Sequence, residues 1–485
     1  MRPKGEKSMK ILLSTFLNLL LVTISALPIV AQSSGTKLEG NWLTALPVSG
    51  VEMRLVFKIA KSENGYTAKF DSVDQGFKDL PIDSVALDGN QMSFSAAQFG
   101  MTFQGILNEA GDEITGRFRQ RSAETTMVFK RITEIPTISR PQDPKKPYPY
   151  DEEEVSYRNE KDNIKIAGTF TVPRGGGRHP AVLLITGSGA QDRDETTSGH
   201  RPFLVLADHL TRNGIAVLRV DDRGVGGTDT GSPSATSENY AEDVLAGVGY
   251  LKTRKEIDPR NIGLLGHSEG GMIAPMVAVR SNDVSFIVLL AGLGQRGEDV
   301  IYTQSELIQK AGGTNAETIS HSVALAKRIN AIVKSETDSK RIEQRIVEDI
   351  AAYAATVTDA QKKSFEPVQA TAKAYLAMYK MPWFRYFIMF DPVPVLNKVR
   401  VPVLALNGEL DLQVAWKENL DLISAGLKAG KNNDVTIKAF PGLNHLFQTG
   451  KTGLPSEYAQ IEETISPKVL STVSDWIVSR TSKKR

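Results

Sequence analysis

Asn261-Ile262-Gly263-Leu264-Leu265-Gly266-His267-Ser268-Glu269-Gly270-Gly271 is the stretch on which the reading of this chain turns. The apolar run Ile262 to Leu265 reads as a buried strand. It stops at Gly266, and Ser268 then stands between Gly266 and Gly270 in a Gly-x-Ser-x-Gly pattern. After it, Met272, Ile273, Met276 and Val277 recur at helical spacing. Strand, sharp turn and helix in that order give such a serine chemical meaning. At the apex of so tight a turn the backbone is strained, and neighbouring side chains would collide with the adjoining strand and helix. Glycine at 266 and 270 removes them. The hydroxyl is then presented at a helix N-terminus, where partial positive charge favours a developing oxyanion. Pro275, about two turns into that helix, predicts a kink or an early break.

Five residues of this kind arise by chance often enough that the rest of the chain must decide. Its 485 residues carry 58 Lys and Arg against 56 Asp and Glu, a net charge of +2. That balance argues against a nucleic-acid binder or a basic membrane-surface protein. With no cysteine, a disulfide scaffold, a thiolate zinc site, a cysteine nucleophile and lipid attachment through an N-terminal cysteine are all excluded. Arg2, Lys4, Lys7 and Lys10 precede an uncharged stretch from Ile11 to Ala31. A basic segment, an apolar segment and a small residue before a polar one predict a secretory signal over residues 1–31, cleaved near Ala31 and Gln32. The mature protein is then expected to be exported, periplasmic or extracellular, without a stable membrane span.

From residue 36 to 133 short alternating segments are separated by turn signals such as Glu63-Asn64-Gly65 and Asp88-Gly89-Asn90. Period-two alternation with a turn every ten or so residues predicts an antiparallel β domain of about eight strands, a small barrel or strongly curved sheet. Gly40-Asn41-Trp42 resembles the Gly-x-Trp entry of lipocalin-like barrels. The segment reads equally as a glycan- or lipid-binding module and as a structural cover. Residues 134–150 hold Pro136, Pro141, Pro144, Pro147 and Pro149 and read as an extended, semi-rigid linker.

From 151 onward strand-like and helix-like segments alternate. Ala181–Ile185, Ile215–Val220, Ile262–Leu265, Phe286–Leu290, Val403–Leu406 and Val435–Ala439 are nearly continuous apolar runs, which suit a sheet buried on both faces. Helical patterns between them predict an α/β fold with a mostly parallel sheet and helices on both sides, over residues 151–297 and 392–485. Residues 298–391 break the alternation and read as a helical cap. In it Trp383, Phe384 and Tyr386 are candidate pocket residues.

A serine hydroxyl needs a base to take its proton, and the base needs an orienting carboxylate. Of six histidines, His445 lies in a glycine-containing loop after the last predicted strand. His267 abuts Ser268 and reads as packed. Asn407-Gly408-Glu409-Leu410-Asp411 follows another predicted strand; Asp411 is the favoured acid and Glu409 the alternative. Ser268, Asp411 and His445 thus each fall at the carboxyl end of a different strand, in the chain order of the α/β-hydrolases. The loop Thr186-Gly187-Ser188-Gly189 offers backbone amides to a substrate oxygen. The N–H groups of Ser188 and Glu269 are the expected oxyanion donors. The loop lacks the lysine of a P-loop and the spacing of a dinucleotide fingerprint.

Gly187-Ser188-Gly189 with Asp192-Arg193-Asp194, Asp222-Arg223-Gly224-x-Gly226, Gly266-His267-Ser268-Glu269-Gly270-Gly271, Asn407-Gly408-Glu409-x-Asp411-x-Gln413-Val414 and Gly442-x-Asn444-His445 together resemble secreted or periplasmic bacterial α/β-hydrolases of the carboxylesterase type. The nearest branches are the dienelactone hydrolases and acylaminoacyl peptidases. The resemblance covers about Val155 to Ser479. It implies hydrolysis of small-molecule esters with modest acyl groups through a Ser268–His445–Asp411 triad, with no cofactor and no metal. Thr186 departs from it, standing where many relatives carry histidine. A peptidase or acyltransferase using the same triad is the alternative, and a binding protein with an inactive hydrolase domain is the alternative of another class. No partner beyond the ester substrate is implied, and the oligomeric state has no signature in the sequence.

Overall fold

The computed structural model describes residues 38–48, 51–120, 123–358 and 368–482. The expected signal segment 1–31 lies outside them.

The first nine strands form one antiparallel sheet in the order β4-β3-β2-β1-β9-β8-β7-β6-β5. They are β1 (Gly40–Val48), β2 (Val51–Ser62), β3 (Gly65–Ser72), β4 (Phe77–Pro81), β5 (Ser84–Asp88), β6 (Gln91–Ala96), β7 (Met101–Leu107), β8 (Glu113–Gln120) and β9 (Ala123–Ile132). The edge strands β4 and β5 are consecutive in the chain, joined by Ile82 and Asp83 alone. Two residues reach at most about 7 Å, so the sheet curls until its edges meet. Ile82 N–H donates to Ala68 of β3 at 3.3 Å and Asp83 N–H to Ser95 of β6 at 2.9 Å, which ties the seam from both sides. Alternation sends Trp42, Phe57, Phe94, Phe103, Phe118 and Phe129 inward, all buried. Trp42 closes one end, its indole N–H on the Leu38 carbonyl at 2.9 Å and the Arg131 guanidinium 4.3 Å from its ring centre. The interior is therefore a packed aromatic core. Nine strands form where eight were expected, because the short β4 and β5 carry little alternation of their own.

Eight further strands make the second sheet, in the order β10-β11-β13-β12-β14-β15-β16-β17. These are β10 (Tyr150–Asn159), β11 (Ile164–Pro173), β12 (His179–Ile185), β13 (Ala216–Val220), β14 (Ile257–His267), β15 (Phe286–Leu290), β16 (Val403–Gly408) and β17 (Val435–Phe440). β10, β11 and β13 pair antiparallel, and every pairing from β13 through β12 to β17 is parallel. Alternate residues of the apolar runs feed two cores. Leu183, Leu264 and Ile287 pack under α2 (Ser237–Thr253) and α3 (Glu269–Ala278). Val182, Leu184, Leu265 and Val288 pack under α1 (Pro202–Arg212) and the final helix, Pro467–Thr481. Each such side chain contributes roughly 1.5–3 kcal/mol by leaving water.

After β12 the chain moves to β13 on one side, then returns to β14 on the other. In parallel sheets a crevice opens at the carboxyl ends of strands flanking such a reversal. Above it lie α4 (Gly297–Ala311), α5 (Ala316–Ser335), α6 (Ser339–Ala354), α7 (Val368–Tyr379), α8 (Pro382–Met389) and the short α9 (Val393–Leu396). α10 (Trp416–Ala429) and α11, the final helix, complete the sheet's cover. Among the described residues no helix is long and apolar enough to cross a membrane.

Candidate active site

At the end of β14 the backbone of Ser268 takes φ 52° and ψ −113°, a conformation costly for any residue but glycine. The strain is held by packing on both sides. A Cβ on Gly266 would lie 2.0 Å from the Gly270 carbonyl oxygen, and one on Gly270 would lie 2.1 Å from that of Ile185. Glycine at both positions therefore lets strand, turn and helix approach this closely. Ser268 N–H is anchored to the Leu290 carbonyl at 2.8 Å. Its neighbours from Asn261 to Met272 are buried, while Ser268 keeps partial exposure. α3 runs through Pro275 and ends three residues later at Ala278.

Asp411 follows β16 and His445 follows β17, and the two side chains are buried together. His445 Nδ1–H donates to Asp411 Oδ2 at 2.8 Å. The other oxygen, Oδ1, accepts the backbone N–H groups of Gln413 and Val414, each at 2.8 Å. Three donors thus orient one carboxylate. Glu409, the alternative acid, is exposed. Ser268 and His445 border the same cavity, of about 320 Å³. Among the described residues neither Ser268 Oγ nor His445 Nε2 has a protein hydrogen-bond partner.

The loop after β12 reaches the same cavity through Gly187 and Ser188. Register explains this, because Ile185 of β12 pairs with Gly266 of β14. The loop is pinned at three points. Thr186 Oγ1–H donates to Asp222 at 2.8 Å, Gln191 N–H to the same carboxylate at 2.9 Å, and Gly187 N–H to Glu195 Oε1 at 2.7 Å. Burial pushes Asp222 up to about 7, against these hydrogen bonds. The Ser188 N–H, next in line, has no protein acceptor among the described residues. The Glu269 N–H stands likewise at the open first turn of α3. The Glu269 carboxylate accepts Ser237 Oγ–H at 2.6 Å and the Trp383 indole N–H at 2.7 Å. Burial, the largest influence, holds its pKa above the usual carboxylate range.

Of the cap aromatics, Trp383 borders the cavity and so does Phe387. Phe384 and Tyr386 do not, which corrects the expectation for both. Phe384 is buried against Tyr379, with ring centres 5.3 Å apart, and the Tyr386 hydroxyl donates to Glu238 at 3.2 Å. On helix α8, residues 383 and 387 lie one turn apart on one face, with 384 and 386 to either side of it.

Sequence reasoning missed Glu195 and Tyr458. Glu195 is buried with φ 52° and faces His267 Nδ1 at 2.9 Å. His267 Nε2 in turn meets the His445 carbonyl at 3.1 Å. Burial pushes His267 down, but the charge and hydrogen bond of Glu195 outweigh it and the net shift is upward. Tyr458 borders the cavity from a 3₁₀ turn, Pro455–Gln460, that no sequence pattern marks. Among the described residues no cluster of three or more His, Asp or Glu side chains could hold a metal ion.

A mostly parallel sheet with an antiparallel edge, a strained serine after its central strand, and an acid–histidine pair from the two strands that close it define the fold class: the chain has the α/β-hydrolase fold. A family model described as Hydrolase_4, serine aminopeptidase S33, matches residues 201–375, which include Ser268 and stop short of Asp411 and His445. Esterase EstD from Thermotoga maritima is 27% identical over 316 residues, covering 64% of this chain and 65% of that protein. The chain thus spans just under two thirds of that relative's length. Among solved structures, the Pyrococcus furiosus esterase Pf2001 is similar at 14% identity, with a TM-score of 0.39, over 72% of this chain and 98% of its own.

Proposed function

We propose that the protein is a serine ester hydrolase acting on small, uncharged esters through an acyl-enzyme. The observation that carries the proposal is the convergence on one cavity of Ser268, the Asp411-oriented His445 and the free Ser188 amide. In this reading Ser268 Oγ attacks the ester carbonyl while His445 Nε2 takes its proton. Contacts of this kind commonly tighten only once substrate is bound. Asp411, held by three donors, fixes the tautomer and balances the imidazolium. The Ser188 and Glu269 amides stabilise the tetrahedral oxyanion, an effect of about 3–4 kcal/mol per donor in comparable sites. The C–O bond breaks as His445 returns its proton to the departing alcohol. Water, deprotonated by the same imidazole, then releases the acid. The similarity to esterase EstD supports this direction.

The family model's description raises an aminopeptidase as the second reading. Such an enzyme must hold a substrate ammonium. Among the described residues the one carboxylate bordering the cavity, Glu195, is already engaged by His267 and Gly187, which favours the ester. Export belongs to the same proposal and rests on the basic-then-apolar segment of residues 1–31.

The test is hydrolysis of p-nitrophenyl butyrate. Ser268→Ala is expected to lower kcat by on the order of 10⁶, to abolish labelling by a fluorophosphonate, and to leave thermal unfolding unchanged. Full activity or labelling in that variant overturns the proposal.

A further inference from the structure

The cavity is lined by both apolar and polar groups. Trp383 and Phe387 stack with ring centres 5.8 Å apart, Val300 of α4 adjoins the same cavity, and the Trp383 indole is fixed by Glu269, the residue after Ser268. The polar groups include a neutral row. Gln304 Nε2–H donates to Gln413 Oε1 at 3.3 Å, and Gln413 Nε2–H donates to the Tyr458 hydroxyl oxygen at 3.2 Å. All three side chains border the cavity.

Tyr458 is the informative member. It is 4% exposed, and its hydroxyl oxygen is occupied as an acceptor. Its own O–H has no acceptor among the described residues. A buried donor left without a partner is unfavourable, and this one borders the space that substrate would fill. The row also offers amide N–H donors and amide oxygen acceptors, the mixture that hydroxyl groups match, since each hydroxyl both donates and accepts.

Chemistry assigns the row to one side of the scissile bond. In the esterase reading, on which this inference rests, the departing alcohol takes its proton from His445 and so leaves on that side. Two members of the row, Gln413 and Tyr458, stand in the segments that follow β16 and β17, with Gln413 N–H on the carboxylate that orients His445. Charge narrows the class further. Among the described residues neither lysine nor arginine borders the cavity, so a phosphate or carboxylate on the substrate would find no counter-charge there.

We propose that Gln304, Gln413 and Tyr458 form the subsite for the alcohol half of the substrate, and that this alcohol is uncharged and hydroxyl-rich, of the sugar class. The apolar side chains of the lining take a short acyl chain. A cavity of about 320 Å³ suits a short acyl group with a single ring.

The experiment compares methyl glucoside 6-butyrate, hexyl butyrate and the butyryl ester of glycerol 3-phosphate on the full-length protein, with p-nitrophenyl butyrate as reference. The sugar ester is expected to exceed both others at least ten-fold in kcat/KM. Its ratio to p-nitrophenyl butyrate is expected to fall at least five-fold in Gln304→Leu and in Tyr458→Phe, two variants with independent folding risks. Calorimetry on Ser268→Ala reads binding apart from turnover and is expected to rank the sugar ester above hexyl butyrate. Equal handling of sugar and hexyl esters, or preference for the phosphate ester, overturns the subsite while p-nitrophenyl butyrate turnover leaves the esterase reading standing. Preferential binding of the sugar ester without turnover of any ester supports the subsite and overturns the esterase reading.

Discussion

The carboxylate of Glu195 sits where three segments of the site meet, on the Gly187 amide at 2.7 Å and the His267 ring at 2.9 Å, with His267 reaching the His445 carbonyl at 3.1 Å. A carbonyl only accepts, so His267 Nε2 carries a hydrogen. Nδ1 faces the Glu195 carboxylate, whose charge and hydrogen bond favour the doubly protonated ring. The folded ring therefore retains a proton that an unfolded histidine releases above about pH 6.5. The upward shift of His267 has the same sign. Stability from the pair is therefore fully present below pH 6.5 and is lost as pH rises through the higher folded value. Thermal unfolding of the wild type and of Glu195→Gln, followed from pH 6 to 9, should show the wild-type advantage greatest at pH 6 and narrowing toward pH 9. An advantage that is constant or grows would sink the assignment. In Glu195→Ala the Gly187–Ser188 loop and the His445 loop both lose their tie, and on the proposed mechanism misplacement near 1 Å costs about 10²-fold in kcat. At this scale Ser268, Asp411 and His445 were legible because each follows an apolar run that ends in a turn. Glu195 was not. Its contact with His267 crosses 72 residues, and its left-handed backbone leaves no mark on the residue type.

Helix α2 shows how differently an element treats the same residue. It starts at Thr236, whose side chain accepts the Glu238 N–H at 3.3 Å while Asn239 accepts the Thr236 N–H at 3.1 Å. Two glycines lie inside it. A Cβ on Gly247 would stand 2.4 Å from Leu183 and 2.7 Å from the Tyr157 hydroxyl, whereas one on exposed Gly249 would meet nothing within 4 Å. Gly249→Ala should therefore stabilise the protein by about 0.5–1 kcal/mol through the backbone alone. Gly247→Ala should destabilise it by about 1–3 kcal/mol through overpacking against β12. Denaturant midpoints of the two variants decide this, and a shift of the same sign in both would refute the packing argument. Periodicity made the elements legible, since apolar runs that mark two-sided burial need no tertiary knowledge. Which helix face meets the cavity was harder to read. Trp383, Phe384 and Tyr386 drew attention as a cluster in sequence, but a helix fans adjacent residues around its axis, and the cavity receives 383 with 387.

At the scale of the molecule the proline-rich segment between the two sheets is more than a spacer. Arg140 sends its guanidinium into a ring of main-chain oxygens, at 2.8 Å from Ile461, 2.7 Å from Ala459, 3.1 Å from Gly199 and 3.2 Å from Ser198. Two residues on, Gln142 accepts the N–H groups of Thr464 and Ile465 and donates to the Ile465 carbonyl at 2.7 Å. The first sheet adjoins this strap, with Gly76 packed against Gly199. Composition predicted an extended segment but carried no sign of what it is tied to, because the partners lie up to 323 residues away. One strapped loop contains Ser198 and Gly199, just beyond Glu195 and Thr197 at the cavity rim, and the other contains Ala459, beside Tyr458. Arg140 therefore holds two cavity walls from outside without touching the cavity. Arg140→Ala leaves four carbonyls without their charged donor, a loss of about 2–3 kcal/mol. It should also loosen both walls, raising KM for p-nitrophenyl butyrate several-fold while kcat, which the proposed triad of Ser268, Asp411 and His445 would set, changes little. Arg140→Lys should restore only a small part, since one ammonium cannot reach four oxygens arranged for a planar fork. If Arg140→Ala melts like the wild type, or if kcat falls while KM holds, the strap does not shape the site.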